Sequence, residues 1–511
     1  MLLRRLKIIY TFIVFLLVFS YIQYDPLGLV TRERYDYFSE NIVLCSMMHN
    51  AQTGQGTEGV GLGLYWPVDT CRRSYSDSML GIVLKKSDLS EITDASWDGG
   101  ISKTAPVFLV DRSVYNFQRF KPGRDVYFPD GSRRSILSVL AGAEYLNVQI
   151  DGGIIPLDAM KKIKDRFGPV SEDPYLIYTS QIGASAYIGN FLQEITGWTD
   201  VNRYRSVQVA LTSAVLTLLL IVLFAEFGFI PALAFAIALF LSPWWLDFSK
   251  NLYWNSWVWM VPLLIVCRWL SGDLQNNSRN AVCFVIYAVG IFLKSAFGYE
   301  YLSTIVLMSV LPVVYVGFRD RESLITVFWR LVIIGLGSMV GFAMSLLVHA
   351  SLRADTLSEG MKGILVDVSR RTYATGEAVQ EALGNGLPLL DIVAKYFGVF
   401  YQPIIVGMHQ PFYKVLIAII VFSLIVMFAC KGKARSLSFA VLASIAAPLS
   451  WIFLAKGHAA MHLHLNPVLW DLPVVPVAVL MVAFAVQQAV VNLYDFNRKR
   501  NERKECVSFF V

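Results

Sequence analysis

Ten stretches of this chain, between 15 and 23 residues long, each carry at most one charged side chain, and this constrains the fold more than any other feature. An α-helix rises about 1.5 Å per residue, so such stretches approach the roughly 30 Å of a bilayer's hydrocarbon core. Strands of an outer-membrane barrel would instead alternate apolar and polar residues. The composition agrees: 55% of residues are hydrophobic, 16% are charged, and mean hydropathy is +0.52. A soluble chain is nearer 25% charged. The reading is therefore a polytopic α-helical membrane protein, and it excludes a cytosolic enzyme, a disordered scaffold and a nucleic-acid binder. A net charge of +6 is too modest to imply a polyanionic partner.

The expected spans are 8–24, 207–225, 229–246, 256–270, 281–296, 301–317, 331–349, 412–430, 436–455 and 470–492. The fifth and sixth are the weakest, because Lys294 and Glu300 separate two short apolar runs. Stretch 388–407, broken by Asp391 and Lys395, reads as interfacial or re-entrant. With the N-terminus in the cytoplasm, short inner loops and tail hold sixteen Lys and Arg against three in the short outer loops, the asymmetry expected of inner loops. Both termini are thus placed in the cytoplasm of a multi-pass protein of the bacterial plasma (inner) membrane. No small-residue cleavage site follows the first span, so it reads as a retained anchor.

The chain then divides into the N-terminal end and first span (1–24), a large periplasmic segment (25–206), six spans (207–349), a second periplasmic segment (350–411), three spans (412–492) and a basic tail (493–511). Cys45 and Cys71 both fall outside, where a disulfide persists; the alternative is two partly buried thiols. Residues 39–53 read as a helix along the membrane surface, with Ser39 as N-cap and apolar Ile42, Val43, Met47 and Met48 at helical spacing. Residues 54–63 are a glycine-rich loop. Between 104 and 160 the short runs APVFLV, RDVYF and NVQI, separated by Pro129-Asp130-Gly131 and Asp151-Gly152-Gly153, predict a small β-rich insertion. Residues 175–196 read as a second amphipathic surface helix.

An enzyme on the outer face has neither nucleotide sugars nor ATP, so it must receive its activated substrate on a lipid carrier. A lipid-dependent transferase and a transporter are the two readings this compartment allows. The opening of the chain resembles that of GT-C superfamily membrane glycosyltransferases, such as protein O-mannosyltransferases and the aminoarabinose transferase of lipid A. In both, one span leads to an outer helix, headed in that superfamily by an acidic pair and here by Ser39-Glu40, with a glycine about fifteen residues on, here Gly54. A second outer helix before the second span, here 175–196, is also similar. The first member of the pair is a serine here, so Glu40 is the acid at that position, with Asp36 nearby. The resemblance implies an inverting glycosyltransferase that moves a sugar from a polyprenyl-phosphate donor to a glycan, lipid or protein acceptor. The alternatives are a transporter or flippase for a lipid-linked glycan, or an oligosaccharide polymerase or ligase.

Inverting transfer needs one carboxylate to deprotonate the acceptor hydroxyl and cations to stabilise the departing phosphate. Glu40 is the expected base, with Asp36 and Glu58 as substitutes. Equally, an acid at a helix N-terminus satisfies the macrodipole. Arg370 and Arg371 suit phosphate, since arginine grips its oxygens as a fork; a solvated pair is the plainer alternative. Lys294 and Lys456 are further cations for it, although Lys294 has Glu300 as a ready partner. Substrate contacts are assigned to Gln181 and Tyr178 in Tyr178-Thr-Ser-Gln-Ile-Gly183, to Asn251, to Tyr299 and Glu300, and to His458, His462, His464 and Asn466. The histidine spacings of four and two also suit two metal ligands on one helical face. No acid or thiol accompanies them, so a divalent metal stands behind hydrogen bonding to sugar or phosphate, and no cofactor is assigned. Trp470 suits a sugar's ring face and an interfacial belt equally, and Trp244, Trp245, Tyr253, Trp254, Trp257 and Trp259 read mostly as interfacial anchors, with Asp247 and Asn251 as polar exceptions.

Overall fold

A computed structural model describes residues 2–30, 35–53, 60–64 and 71, short stretches between 107 and 169, and residues 176–271, 277–373, 393–394, 397, 412–462 and 465–508. The chain opens with α1 (Leu2–Tyr24) and α2 (Tyr37–Thr53), followed by β1 (Gly63–Leu64). Next come β2 (Val107–Asp111), β3 (Asp125–Tyr127), β4 (Arg133–Ala141), β5 (Tyr145–Ile150), β6 (Lys164–Asp165), β7 (Gly168–Pro169) and β8 (Leu176–Ile177). Helices make up the rest: α3 (Ala184–Thr196), α4 (Val201–Phe227), α5 (Phe229–Phe240), α6 (Pro243–Lys250), α7 (Ser256–Leu270), α8 (Asn277–Phe297) and α9 (Leu302–Arg319). Then follow α10 (Leu324–Arg353), α11 (Leu357–Tyr373), α12 (Phe412–Ala429), α13 (Lys433–Ser444), α14 (Ala446–Leu454), α15 (Lys456–Met461), α16 (Val468–Asp471) and α17 (Val475–Ser508).

Among the described residues, seven helices are long and apolar enough to cross a membrane, or eight if the bent pair α5–α6 is one span. The apolar parts of α1 and α7 are shorter, so all ten expected stretches are helical but not all reach spanning length. The faces they turn outward are apolar: Leu324, Phe328, Trp329, Phe422 and Phe428 are exposed, as suits lipid-facing surfaces. The two weak expectations, the fifth and sixth spans, hold as separate helices α8 and α9. Helices α8 and α10 approach closely: a Cβ on Gly341 would lie 2.2 Å from the Ala288 carbonyl oxygen. Small residues at such a crossing let apolar helices gain dispersion contact along their backbones.

The third expected span, 229–246, is broken. Helix α5 stops at Phe240, and α6 leaves it at 76°. Pro243 cannot donate to the ladder, and its ring would strike the carbonyl four residues back. Ser242 starts the new helix by accepting from the Trp245 amide at 3.0 Å. The turn carries Trp244, Trp245 and Leu246 into the interior, and Tyr253, Trp254 and Trp259 pack beside them. These aromatics, and fully buried Trp470, are core residues rather than interfacial anchors; Trp257 is partly exposed.

Segment 25–206 departs from expectation in three places. Helix α2 does not lie on a surface: from Glu40 to Met48 it is buried on every side, packed against α3 and β1. Its N-cap is Asp36, which accepts from the Ser39 amide at 3.1 Å, so Ser39 itself is not the cap. The second outer helix starts at Ala184, because residues 176–177 form β8 and Gly183 has a left-handed backbone. Cys45 and Cys71 are disulfide-bonded. The β-rich insertion is an antiparallel sheet of order β2-β5-β4-β3-β6-β7, in which Phe108 faces Val148 and Val148 faces Val139. Strands β1 and β8 pair separately, joining α2 to the start of α3. Stretch 388–407 lies almost wholly outside the described residues.

Candidate functional site

The acidic head of α2 is built from two residues one turn apart with opposite fates. Asp36 is partly exposed. One of its oxygens caps α2, the other accepts from the Trp254 indole N–H at 2.9 Å, and its carbonyl accepts from the Asn251 amide at 2.9 Å. Glu40 is sealed, its side chain 1% exposed. Arg205 grips it as a fork, Nε to Oε1 at 2.9 Å and Nη2 to Oε2 at 2.5 Å, and the Tyr35 hydroxyl donates to Oε1 at 2.7 Å. Asn202 accepts from Nη1 of the same arginine, and the Tyr35 ring lies under its guanidinium at 5.1 Å. Burial, reinforced by the Glu40 charge and opposed by that of Arg205, holds the Tyr35 hydroxyl well above the usual tyrosine range.

Helix α6 brings a third acid. Asp247 is 1% exposed, and neither of its oxygens makes a hydrogen bond of good geometry among the described residues. It lies beside the Asp36 main chain and in the field of Asp36, Glu40 and Lys250. A buried carboxyl without firm partners is costly, and such sites are where function concentrates. Lys250, at the end of the same helix, reaches Asp25 at 4.0 Å.

Asn251 joins this acidic group to a second polar cluster. While its amide holds Asp36, its oxygen accepts from the Tyr253 backbone N–H at 3.0 Å. The Tyr253 hydroxyl accepts from Gln181 at 2.5 Å and donates to Glu300 at 3.2 Å. Lys294 donates to the Gly298 carbonyl at 2.5 Å, close to Glu300. Position 298 is held to glycine by its neighbours, since a Cβ there would lie 2.4 Å from Glu300 Oε2 and 2.7 Å from Gln181 Oε1. Five residues expected at a site, Asp36, Gln181, Asn251, Lys294 and Glu300, thus meet in one network from four separate parts of the chain.

The other expected residues are placed less centrally. The Tyr299 hydroxyl turns to His349 Nδ1 at 3.1 Å, and His349 Nε2 reaches the Thr179 carbonyl at 3.1 Å. Tyr178 is partly buried, its backbone paired with Leu62. His458 is buried against Trp451 and Tyr301, 4.5 Å from the His462 ring, and Tyr301 in turn stacks on Trp254, which holds Asp36. Asn466 donates to the Ala459 carbonyl, closing the turn after α15. Lys456, partly exposed, opens α15, which packs on α11, the helix ending just after Arg370 and Arg371. His464 and Glu58 lie outside the described residues. Among the described residues no group of three His, Cys, Asp or Glu is arranged to hold a metal.

Sequence reading alone did not find Arg205, Tyr35 and His349. Arg205 stands just ahead of the second expected span, and a lone charge there looks like an interfacial residue. No family model, curated protein or solved structure matches this chain.

Proposed function

We propose that this is an integral-membrane inverting glycosyltransferase using a polyprenyl-phosphate sugar, with Asp36 as its base. The observation that carries the reading is Asp36 itself: a carboxylate with solvent access, fixed by Trp254 and Asn251 and set against the buried Asp247. Asp36 takes the proton from the acceptor hydroxyl as its oxygen attacks the anomeric carbon. The bond from that carbon to the lipid phosphate breaks, and the phosphate leaves with its electron pair. Glu40 is shut off from solvent and ion-paired to Arg205, so it orients the head of α2 rather than meeting substrate. Lys294 is likewise engaged, which leaves Lys456, Arg370 and Arg371 as the cations for the phosphate.

The test is transfer of labelled sugar from a polyprenyl-phosphate donor by membranes containing Asp36→Asn or Glu40→Gln. Removing a general base lowers the rate by about 10²–10⁴-fold. Wild-type transfer by Asp36→Asn would exclude the assignment.

A transporter is the second reading, and the broken pair α5–α6 favours it, because transporters unwind helices around their cargo. Such breaks come in matched pairs in two repeated halves, and among the described residues one bent pair is found. Translocation of a labelled lipid-linked glycan without transfer would decide for it.

A further inference from the structure

The described residues also line a half-open cavity of about 600 Å³ at the opposite end of the bundle. Helices α4, α7 and α9 begin at the acidic site, with Arg205, Ser256 and Tyr301 near it, and their far ends carry Glu226, Ser271 and Arg319 around this cavity. The volume lies within the 300–1,000 Å³ range of small-molecule sites. The walls are apolar, with Leu263, Met308, Leu311 and Leu480 among them. The polar groups gather at the rim, where Glu226 accepts from the Tyr315 hydroxyl and Arg319 and pairs with Lys433, and Arg319 also donates to both oxygens of Asp320 at 2.7 Å.

Two features select the occupant. From Arg319 at the rim to Met308 in the wall is eleven residues of one helix, about 16 Å at 1.5 Å per residue, close to the ~15 Å of one leaflet's hydrocarbon. The charge at this end is also one-sided. Beyond the paired rim residues, Arg268, Arg321, Lys431 and Arg435 have no ion-pair partner among the described residues, and Arg268 reaches the cavity's Ser271 at 3.2 Å. We infer that the cavity holds an acyl chain of an anionic phospholipid, whose phosphate sits at Arg268 beside the rim. Basic pockets between spans bind acidic head groups in this way. The lipid would tie α4, α7, α9 and α17 together at the end remote from the acids, as a structural ligand rather than a substrate.

Native mass spectrometry of the full chain in detergent tests this, with phosphatidylglycerol and phosphatidylcholine of identical chains titrated separately and a polyprenyl monophosphate as a third probe. The expectation is one retained phosphatidylglycerol, held at least tenfold more tightly than the choline lipid. Arg268→Gln, at an exposed position, should reduce that preference threefold or more. Leu263→Trp, which fills the cavity, should remove the retained lipid; if that variant does not fold, the Arg268→Gln comparison still decides. Equal binding of the two phospholipids, an Arg268→Gln variant that matches wild type, or retention of the polyprenyl phosphate alone would overturn the inference.

Discussion

Arg205 and Glu40, 165 residues apart, form a two-point ion pair at 2.9 and 2.5 Å that is almost wholly shut off from solvent. It fastens the first turn of α2 to the first turns of α4. Breaking such a pair on one side leaves an uncompensated buried charge, at a cost of about 3–5 kcal/mol. Arg205→Ala should therefore lower the melting temperature in detergent sharply, and the apolar double replacement Glu40→Met with Arg205→Met should recover at least half of the loss. A single variant as stable as wild type would show that the pair is solvated in the membrane.

Asp36 and Glu40 should separate kinetically from structurally. Asp36→Asn keeps the cap and the Trp254 contact in shape, so transfer should fall by about 10²-fold or more with the melting temperature little changed. Glu40→Gln should act mainly on stability. Transfer rates and melting curves measured on the same preparations will tell the two patterns apart.

Gly183 has φ +75°, and a Cβ there would lie 2.4 Å from Leu62 Cγ. Gly183→Ala therefore meets both backbone strain and a side-chain clash, together about 2–4 kcal/mol. Because this residue sets where α3 begins, the substitution should also displace Gln181. Limited proteolysis between β8 and α3 measures the effect, and an unchanged cleavage pattern would contradict it.

The Cys45–Cys71 bond closes a loop across a separation of 26 residues around the buried middle of α2. By loop-closure entropy it stabilises the fold by roughly 3–4 kcal/mol. Cys45→Ser should lower the melting temperature accordingly, and a reducing agent should do the same to wild type but not to the variant. Thiol labelling before and after reduction checks that the bond is present.

In the sheet, the Arg133 side chain, helped by the Ser135 hydroxyl, holds the Asp125 carboxyl below its ordinary range. A depressed folded-state pKa adds stability above the unfolded value near 4, and this is lost as pH falls through the folded value. Amide protection in β3 and β4, taken relative to the intrinsic exchange rate at each pH, should therefore fall below about pH 4, and Asp125→Asn should remove that dependence.

Much of the fold could be read directly from the chain. The helical stretches, the β-rich insertion and the pairing of Cys45 with Cys71 each depend on local periodicity or on a count of residue types. So do Asp36, Gln181, Asn251, Lys294 and Glu300 as polar residues in places that demand an explanation. Where reading failed, the neighbours decided. An amphipathic spacing placed α2 on a surface, yet α3 and β1 cover it; a run of tryptophans looked like a membrane belt, yet the bend at Pro243 turned most of them inward.

Sequence alone determined that these segments are helices, because hydrophobicity and chain geometry act over a turn or two. Tertiary structure alone decided which acid keeps its access to solvent and which is locked by an arginine. That choice depends on side chains converging from positions more than a hundred residues apart, and no local pattern carries such information.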